Sequence, residues 1–416
     1  MRFHVYPAIV STTAVALAAL AALVAGCAPR PPAPAEPGPA PAQAAVPPDT
    51  ARPRPDTITV PPVVPVPRDT IPRDTTTVRV CAGGDVMLGS NLDTSWAVRA
   101  RRTLGRRVPA LPRAESLLAP LVPLVSSADV VLLNIEGAIG EGRAPRKCGR
   151  RSRSCYAFRQ PTRTARAFRT LTSRGAIVGN LANNHSRDVG PDGFVRTRES
   201  LERAGVHVTG ADSVPTVVVT PRGDTVLFLG FDTSWPFVGD LDMVRRWVQA
   251  AAAVHPRIVV TMHIGAEGAS AQRTGDSTEW FLRYNRGNPV AFARTAIEAG
   301  ARFVVGHGPH VMRAMEWRDS AFVAYSLGNL ATYGTFSTAE PNNRGGILCA
   351  SVPRSGAPRD MVFHPTVQRP PGIVAPDPTG RAAELVDSLS RLDFPRSRGV
   401  IERADEGWRI GPPRRR

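Results

Sequence analysis

Lysine is almost missing from this sequence of 416 residues: Lys147 is the only one, and arginine supplies the rest of the 52 basic side chains. Aromatic residues are sparse at 6%, and the arginines are scattered rather than gathered into a block with aromatics between them. Nucleic-acid recognition needs a concentrated basic footprint or a recognition motif. Neither is present, so no nucleic-acid partner is expected. The 35 acidic residues leave a formal charge of +17, a balance that still suits a polyanionic substrate. Long apolar runs are also lacking. The one near the N-terminus, residues 9–24, is short for a membrane span.

What is present at the N-terminus has three parts. Arg2 and His4 make a short polar start, residues 9–24 carry no charge, and Val24-Ala25-Gly26-Cys27 follows. Small residues before a cysteine at the end of an apolar run resemble a bacterial lipobox. The expectation is a lipoprotein signal peptide over 1–27, with Cys27 lipidated and the chain exported to the cell envelope on a membrane anchor. An uncleaved membrane helix is the alternative. Residues 28–76 are rich in proline, which offers no N–H to a helix or ladder, so they read as an extended spacer.

Export frames the other cysteines. Cys148 and Cys155 flank a basic segment, and an oxidising compartment favours a local disulfide between them. Cys81 and Cys349 lie in apolar runs. Each reads first as a buried thiol, with a bridge between the two as the other option.

From residue 77 the chain alternates apolar strand-like runs with helical spacing. Strands are expected at 77–82, 130–133, 176–181, 258–262 and 302–305. Helices are expected at 114–127, 162–174, 194–204, 241–254 and 289–299, and a hairpin at 216–231. The last strands, 321–326, 346–352 and 360–369, have no helix between them. The pattern predicts an α/β domain over 77–369, with two packed sheets flanked by helices. Residues 370–416 read as a Pro/Arg-rich C-terminal tail with one amphipathic stretch at 382–392.

The polar residues fall where the strands end. Asp85, Glu136, Asn184 with His185, His263, and His307 with His310 each follow closely on an apolar run. In an open α/β sheet the carboxyl ends of the strands form one rim, and ligands bind there. Carboxylate, amide and imidazole together suit a first-row divalent ion such as Mn, Fe or Zn, held as one ion or two. Taken singly, Asp85 and Asn184 also fit ordinary turns, His263 a satisfied strand end, and Glu267 a solvated loop acid.

The segments that carry these residues are Gly84-Asp85-Val86-Met87-Leu88-Gly89, Asn134-Ile135-Glu136, Asn183-Asn184-His185 with Asp188, His263-Ile264-Gly265-Ala266-Glu267, Gly306-His307-Gly308-Pro309-His310 and Tyr325-Ser326-Leu327-Gly328-Asn329. In this order they resemble the CapA family, which is linked to poly-γ-glutamate capsule synthesis and related to calcineurin-like metallophosphatases. The resemblance implies a four-layer α/β/β/α metallophosphatase-like sandwich with two packed, mostly parallel or mixed sheets. It implies metal ligands at Asp85, Glu136, Asn184, His263, His307 and His310. His185 would be a proton donor oriented by Asp188, and Glu267 a further acid. Related phosphatases place a histidine two residues after the first aspartate. Here it is Met87, which removes one nitrogen ligand.

The expected function is a metal-dependent hydrolase or transferase acting on poly-γ-glutamate, alongside other capsule synthesis or export proteins. The alternatives are a non-catalytic polyanion-binding lipoprotein, or a metallophosphoesterase with another substrate.

Overall fold

The computed structural model describes residues 77–89, 112–141 and 155–413, apart from 235, 335 and 406. The expected signal peptide, Cys27, the spacer and Cys148 lie outside the described residues. No helix among those described is long and apolar enough to cross a membrane.

The first stretch alternates strand and helix. It holds β1 (Val78–Met87), α1 (Ala114–Leu118), β2 (Val130–Ile135), the short β3 (Ala138–Ile139) and β4 (Arg159–Gln160), α2 (Thr164–Ala167), β5 (Ala176–Asn180), α3 (Gly190–Arg203) and β6 (Val206–Thr209). The middle stretch runs through β7 (Thr216–Val219), β8 (Thr225–Phe231), α4 (Leu241–Val254), β9 (Ile258–His263), β10 (Trp280–Phe281), β11 (Tyr284–Asn285), α5 (Pro289–Glu298), β12 (Phe303–His307), β13 (Met315–Arg318) and β14 (Ala321–Ala324). The last stretch supplies β15 (Asn329–Thr332), β16 (Arg344–Val352), β17 (Arg359–Arg369), β18 (Ile373–Pro376), α6 (Arg381–Asp393), β19 (Val400–Ala404) and β20 (Gly407–Gly411).

The protein is α/β with mixed sheets. The larger sheet runs β19-β20-β17-β16-β1-β2-β5-β6, with β15 also on β1 and β18 on β17. The smaller runs β13-β14-β12-β9-β8-β7. Strand residues alternate between faces, and the apolar residues divide accordingly. Val80, Ala82 and Leu132 of the larger sheet share one cluster with Phe228, Val259 and Phe303 of the smaller. The alternating residues Cys81, Val131 and Leu133 meet Leu117, Phe168 and Leu201 of the helical segments. Leu229, Val260 and Val304 meet Val244, Val248 and Phe292 of α4 and α5. Both of these helices are capped by side chains, Asp240 accepting from Met243 N and Asn288 from Val290 N and Ala291 N.

Two expectations fail. Residues 373–411 are not a tail. Strands β18, β19 and β20 extend the larger sheet, and α6 buries Ala382, Ala383 and Val386 in the cluster between the sheets. Prolines and arginines on short edge strands hide this, because edges tolerate both. The expected helices over 114–127 and 162–174 are each a short α segment continued as a 3-10 helix, over Ala119–Val125 and Phe168–Leu171 respectively. Apolar spacing of three residues satisfies either form.

The reading of Cys81 as a buried thiol is also corrected: it is bonded to Cys349, joining β1 to its neighbour β16 where the two residues stand in register. Cys155 is disulfide-bonded as well.

Candidate metal centre

Strand register assembles the polar residues in rows. Asp85 in β1 lies beside Asn134 in β2 and Asn329 in β15, and Asn134 lies beside Asn180 in β5. On the smaller sheet His263 closes β9 beside His307 closing β12. Parallel neighbours end together, so one rim collects these side chains from both sheets. The approach at β1 depends on glycine. A Cβ on Gly84 would lie 2.1 Å from Gly328 O, and Asp85 N donates to that same carbonyl at 2.9 Å.

Asp85, Glu136 and His310 each offer a ligand atom, and these atoms lie within 4.8 Å of one another in a buried group. His310 Nδ1 is 3.0 Å from Asp85 Oδ2, and its Nε2 is 3.5 Å from Glu136 Oε1. His310 adopts φ +59°, a left-handed conformation that turns the loop after β12 back toward β1. Asn329 Oδ1 lies 3.1 Å from His310 Nδ1. Two further histidines flank the group. His307 Nδ1 is 3.6 Å from Asp85 Oδ1, and His263 Nε2 is 3.8 Å from Glu136 Oε1.

Several of these buried atoms have no hydrogen-bond partner among the described residues: both oxygens of Glu136, both ring nitrogens of His307 and Nε2 of His263. Buried polar atoms are normally satisfied. Two carboxylates, imidazoles and orphaned lone pairs at one spot fit a divalent cation. Met87 is fully buried and contributes no nitrogen.

The electrostatics follow from burial and crowding. Burial alone would push Asp85 up, but its contact with His310 and the charges of His310, His307 and His263 hold it well below the usual carboxylate range. Burial pushes Glu136 well up; the His310 charge opposes this, while Asp85 and Glu267 add to it. Burial lowers His307 to about 4, against the pull of Asp85. His310 goes the other way, to about 10, because Glu136 and Asp85 outweigh its burial.

A layer of asparagines fixes Asp85. Asn134 Nδ2 donates to Asp85 Oδ1 at 2.8 Å, and Asn134 Oδ1 accepts from Asn180 and Asn183 at 3.0 and 3.2 Å. With its amide so oriented, Asn134 Nδ2 also faces His263 Nδ1 at 3.3 Å.

The other expected site residues surround an adjoining cavity of ≈ 520 Å³, lined by Asn184, His185, Glu267 and Arg286 among others. His185 Nδ1 is 2.7 Å from Asp188 Oδ2, which also accepts from Phe158 N at 2.7 Å. Glu267 is half-buried rather than solvated, its Oε1 2.8 Å from Arg286 Nη2 and its Oε2 3.9 Å from His310 Nε2. Arg286, Asn134 and Asn180 are the residues that sequence reasoning missed. The asparagines carried a signal, since both sit at the ends of apolar strands. Arg286 carried none, because it follows a two-residue strand within a loop.

Residues 79–333 match the family described as "Bacterial capsule synthesis protein PGA_cap". Among curated relatives, the capsule biosynthesis protein CapA of Bacillus anthracis is 28% identical over 39% of this chain and 41% of its own. The PGA biosynthesis protein CapA of Bacillus subtilis is 27% identical over 39% and 44%. This chain thus spans less than half the length of those two relatives. A "Probable polyglutamine synthesis accessory protein" of Mycobacterium tuberculosis is 26% identical over 61% of this chain and 74% of its own. The crystal structure of TT1561 of Thermus thermophilus aligns over 67% of this chain and 100% of its own, at 11% identity and a TM-score of 0.32, a likeness too slight to bear on the site.

Proposed function

This chain belongs to the bacterial capsule synthesis protein family PGA_cap, and from that footing we propose a metal-dependent hydrolase or transferase acting on poly-γ-glutamate or a similar anionic capsular polymer. The fold is read as a four-layer α/β/β/α metallophosphatase-like sandwich, supported by the three apolar clusters. The protein would work in the cell envelope on a lipid anchor at Cys27, beside other capsule synthesis or export proteins. The support for the anchor is the lipobox-like segment.

The observation that carries the catalytic reading is the set of buried donor atoms without partners around Asp85, Glu136 and His310. These three residues would hold one divalent cation, Mn, Fe or Zn, with His307, His263 and Asn184 as further donors. Such an ion polarises an acyl or phosphoryl group and makes water more acidic. The protein's own groups do the rest. Asp188 fixes the His185 ring through Nδ1, so Nε2 is the nitrogen that would protonate the leaving group. Asn134, Asn180 and Asn183 hold Asp85 in place. Glu267 stands between Arg286 and His310, able to take or return a proton at the cavity wall.

Elemental analysis of the purified protein, with assays on poly-γ-glutamate and a generic phosphodiester, tests this reading. Stoichiometric metal and a turnover that is lost in His185→Ala are expected. Metal-free protein that stays inert when supplied with Mn, Zn or Fe would remove it.

One observation favours a second reading. Met87 stands where a nitrogen ligand is expected from related phosphatases, and it is buried. A weakened centre suits a polyanion-binding lipoprotein without turnover. Salt-sensitive polyglutamate binding that persists in Asp85→Asn, with no turnover under any metal, would select it.

A further inference from the structure

The cavity beside the metal centre has an unusual mouth. The hairpin of β10 and β11 leaves Leu282 60% and Tyr284 65% exposed, and Tyr156, which also lines the cavity, is 43% exposed. Large apolar groups are seldom left in water together without a ligand or partner to cover them. Phe281 and Tyr284 stand directly opposite each other in the hairpin and both line the cavity. Trp280, also exposed at 59%, is not among the residues lining it.

The inner wall is different. Arg286 is 4% exposed, fixed by Nε donating to Gly265 O at 3.0 Å and Nη1 donating to Thr233 Oγ1 at 3.3 Å. Nη2 faces Glu267 at 2.8 Å, yet it has no aligned hydrogen-bond partner among the described residues. A buried guanidinium held this way presents donors in a fork that matches a carboxylate. Amide and hydroxyl groups, Asn285 and Ser234, line the same cavity.

We infer that this cleft is the substrate subsite of the metal centre and takes a segment of a carboxylated polyamide, one carboxylate on Arg286 and the chain's methylenes against Tyr284 and Phe281. A small inorganic anion would leave the mouth uncovered, and an uncharged chain would make no use of the guanidinium on the inner wall. The inference rests on the polymer reading of the proposed function. An incoming carboxylate competes with Glu267 for Nη2, so the cleft binds only chains that also gain contact at the mouth.

Calorimetric binding of a γ-linked glutamate decamer, with chelator present to silence the metal centre, tests the subsite. Tyr284→Ala and Arg286→Gln should each weaken binding about tenfold. Trp280→Ala should bind as the wild type does. Tyr284 is a surface residue, so its variant should melt as the wild type and decides the question even if Arg286→Gln fails to fold. Undiminished binding in Tyr284→Ala, or an equal loss in Trp280→Ala, overturns the subsite while leaving the polymer reading intact. A wild-type protein that does not bind the decamer overturns both.

Discussion

His185 and Asp188 are bound to each other across 2.7 Å, and the same Asp188 oxygen receives the backbone N–H of Phe158. One carboxylate thus fixes an imidazole on the cavity wall and ties down the segment that enters β4. Asp188→Asn would keep the shape and lose the charge. It should lower turnover by about 10- to 100-fold with metal content unchanged, read from steady-state kinetics beside elemental analysis. Full activity in this variant would show that His185 needs no orienting partner.

Cation binding should raise thermal stability. A ligand that binds only the folded state adds about 2.7 kcal/mol when present at about 100 times its Kd. Calorimetric melting with Mn or Zn should show this gain for the wild type and none for Asp85→Asn or Glu136→Gln. A variant that gains as much as the wild type would place the ion elsewhere.

The disulfide between Cys81 and Cys349 closes a loop with a sequence separation of 268. Replacing both with alanine should cost about 2–5 kcal/mol, measured by denaturant unfolding against the wild type. Both sites are fully buried, so part of that cost is lost packing.

Gly84 admits no side chain, because Gly328 O occupies the space a Cβ would need. Gly84→Ala should destabilise the fold by about 1–3 kcal/mol and also weaken metal uptake, since it displaces the backbone that seats Asp85. An alanine variant with normal metal content would separate the glycine from the site.

His255 gives a dependence on pH. Burial, aided by the charge of Arg354, lowers it to about 4 from an ordinary 6.5. Its Nδ1 accepts from Arg257 N at 3.2 Å. The unfolded chain takes up a proton near 6.5 and the folded chain only near 4. Stability from this group is therefore complete above about pH 6.5 and is lost as pH falls to about 4, by at most about 3 kcal/mol. His255→Gln should flatten the acid side of a melting-temperature profile over that window.

The candidate site was legible wherever an apolar strand ended on a polar residue. Asp85, Glu136, His263 and His307 sit at parallel strand ends, and hydrophobic runs mark such ends in the sequence. What the sequence did not show is register between distant strands. Nothing local pairs Cys81 with Cys349, or places Asn329 beside Asp85, because those neighbours are set by how the sheet closes. Arg286 was hidden for another reason: a guanidinium held by loop carbonyls leaves no periodic trace. The strands after residue 372 were obscured by prolines and charges that suit a sheet edge as well as they suit a loop.

The central position of β1 has a consequence for how the molecule must come together. It is the first described strand to be synthesised, and β2 is the next, yet β15 and β16 emerge only after residue 328. Until then one side of the strand that bears Asp85 lacks neighbours, and the Cys81 thiol waits without its mate. Cys148 and Cys155 are made in that interval. A chain released or cut before Cys349 would carry an unpaired sulfur and an open sheet border, which invites mispairing.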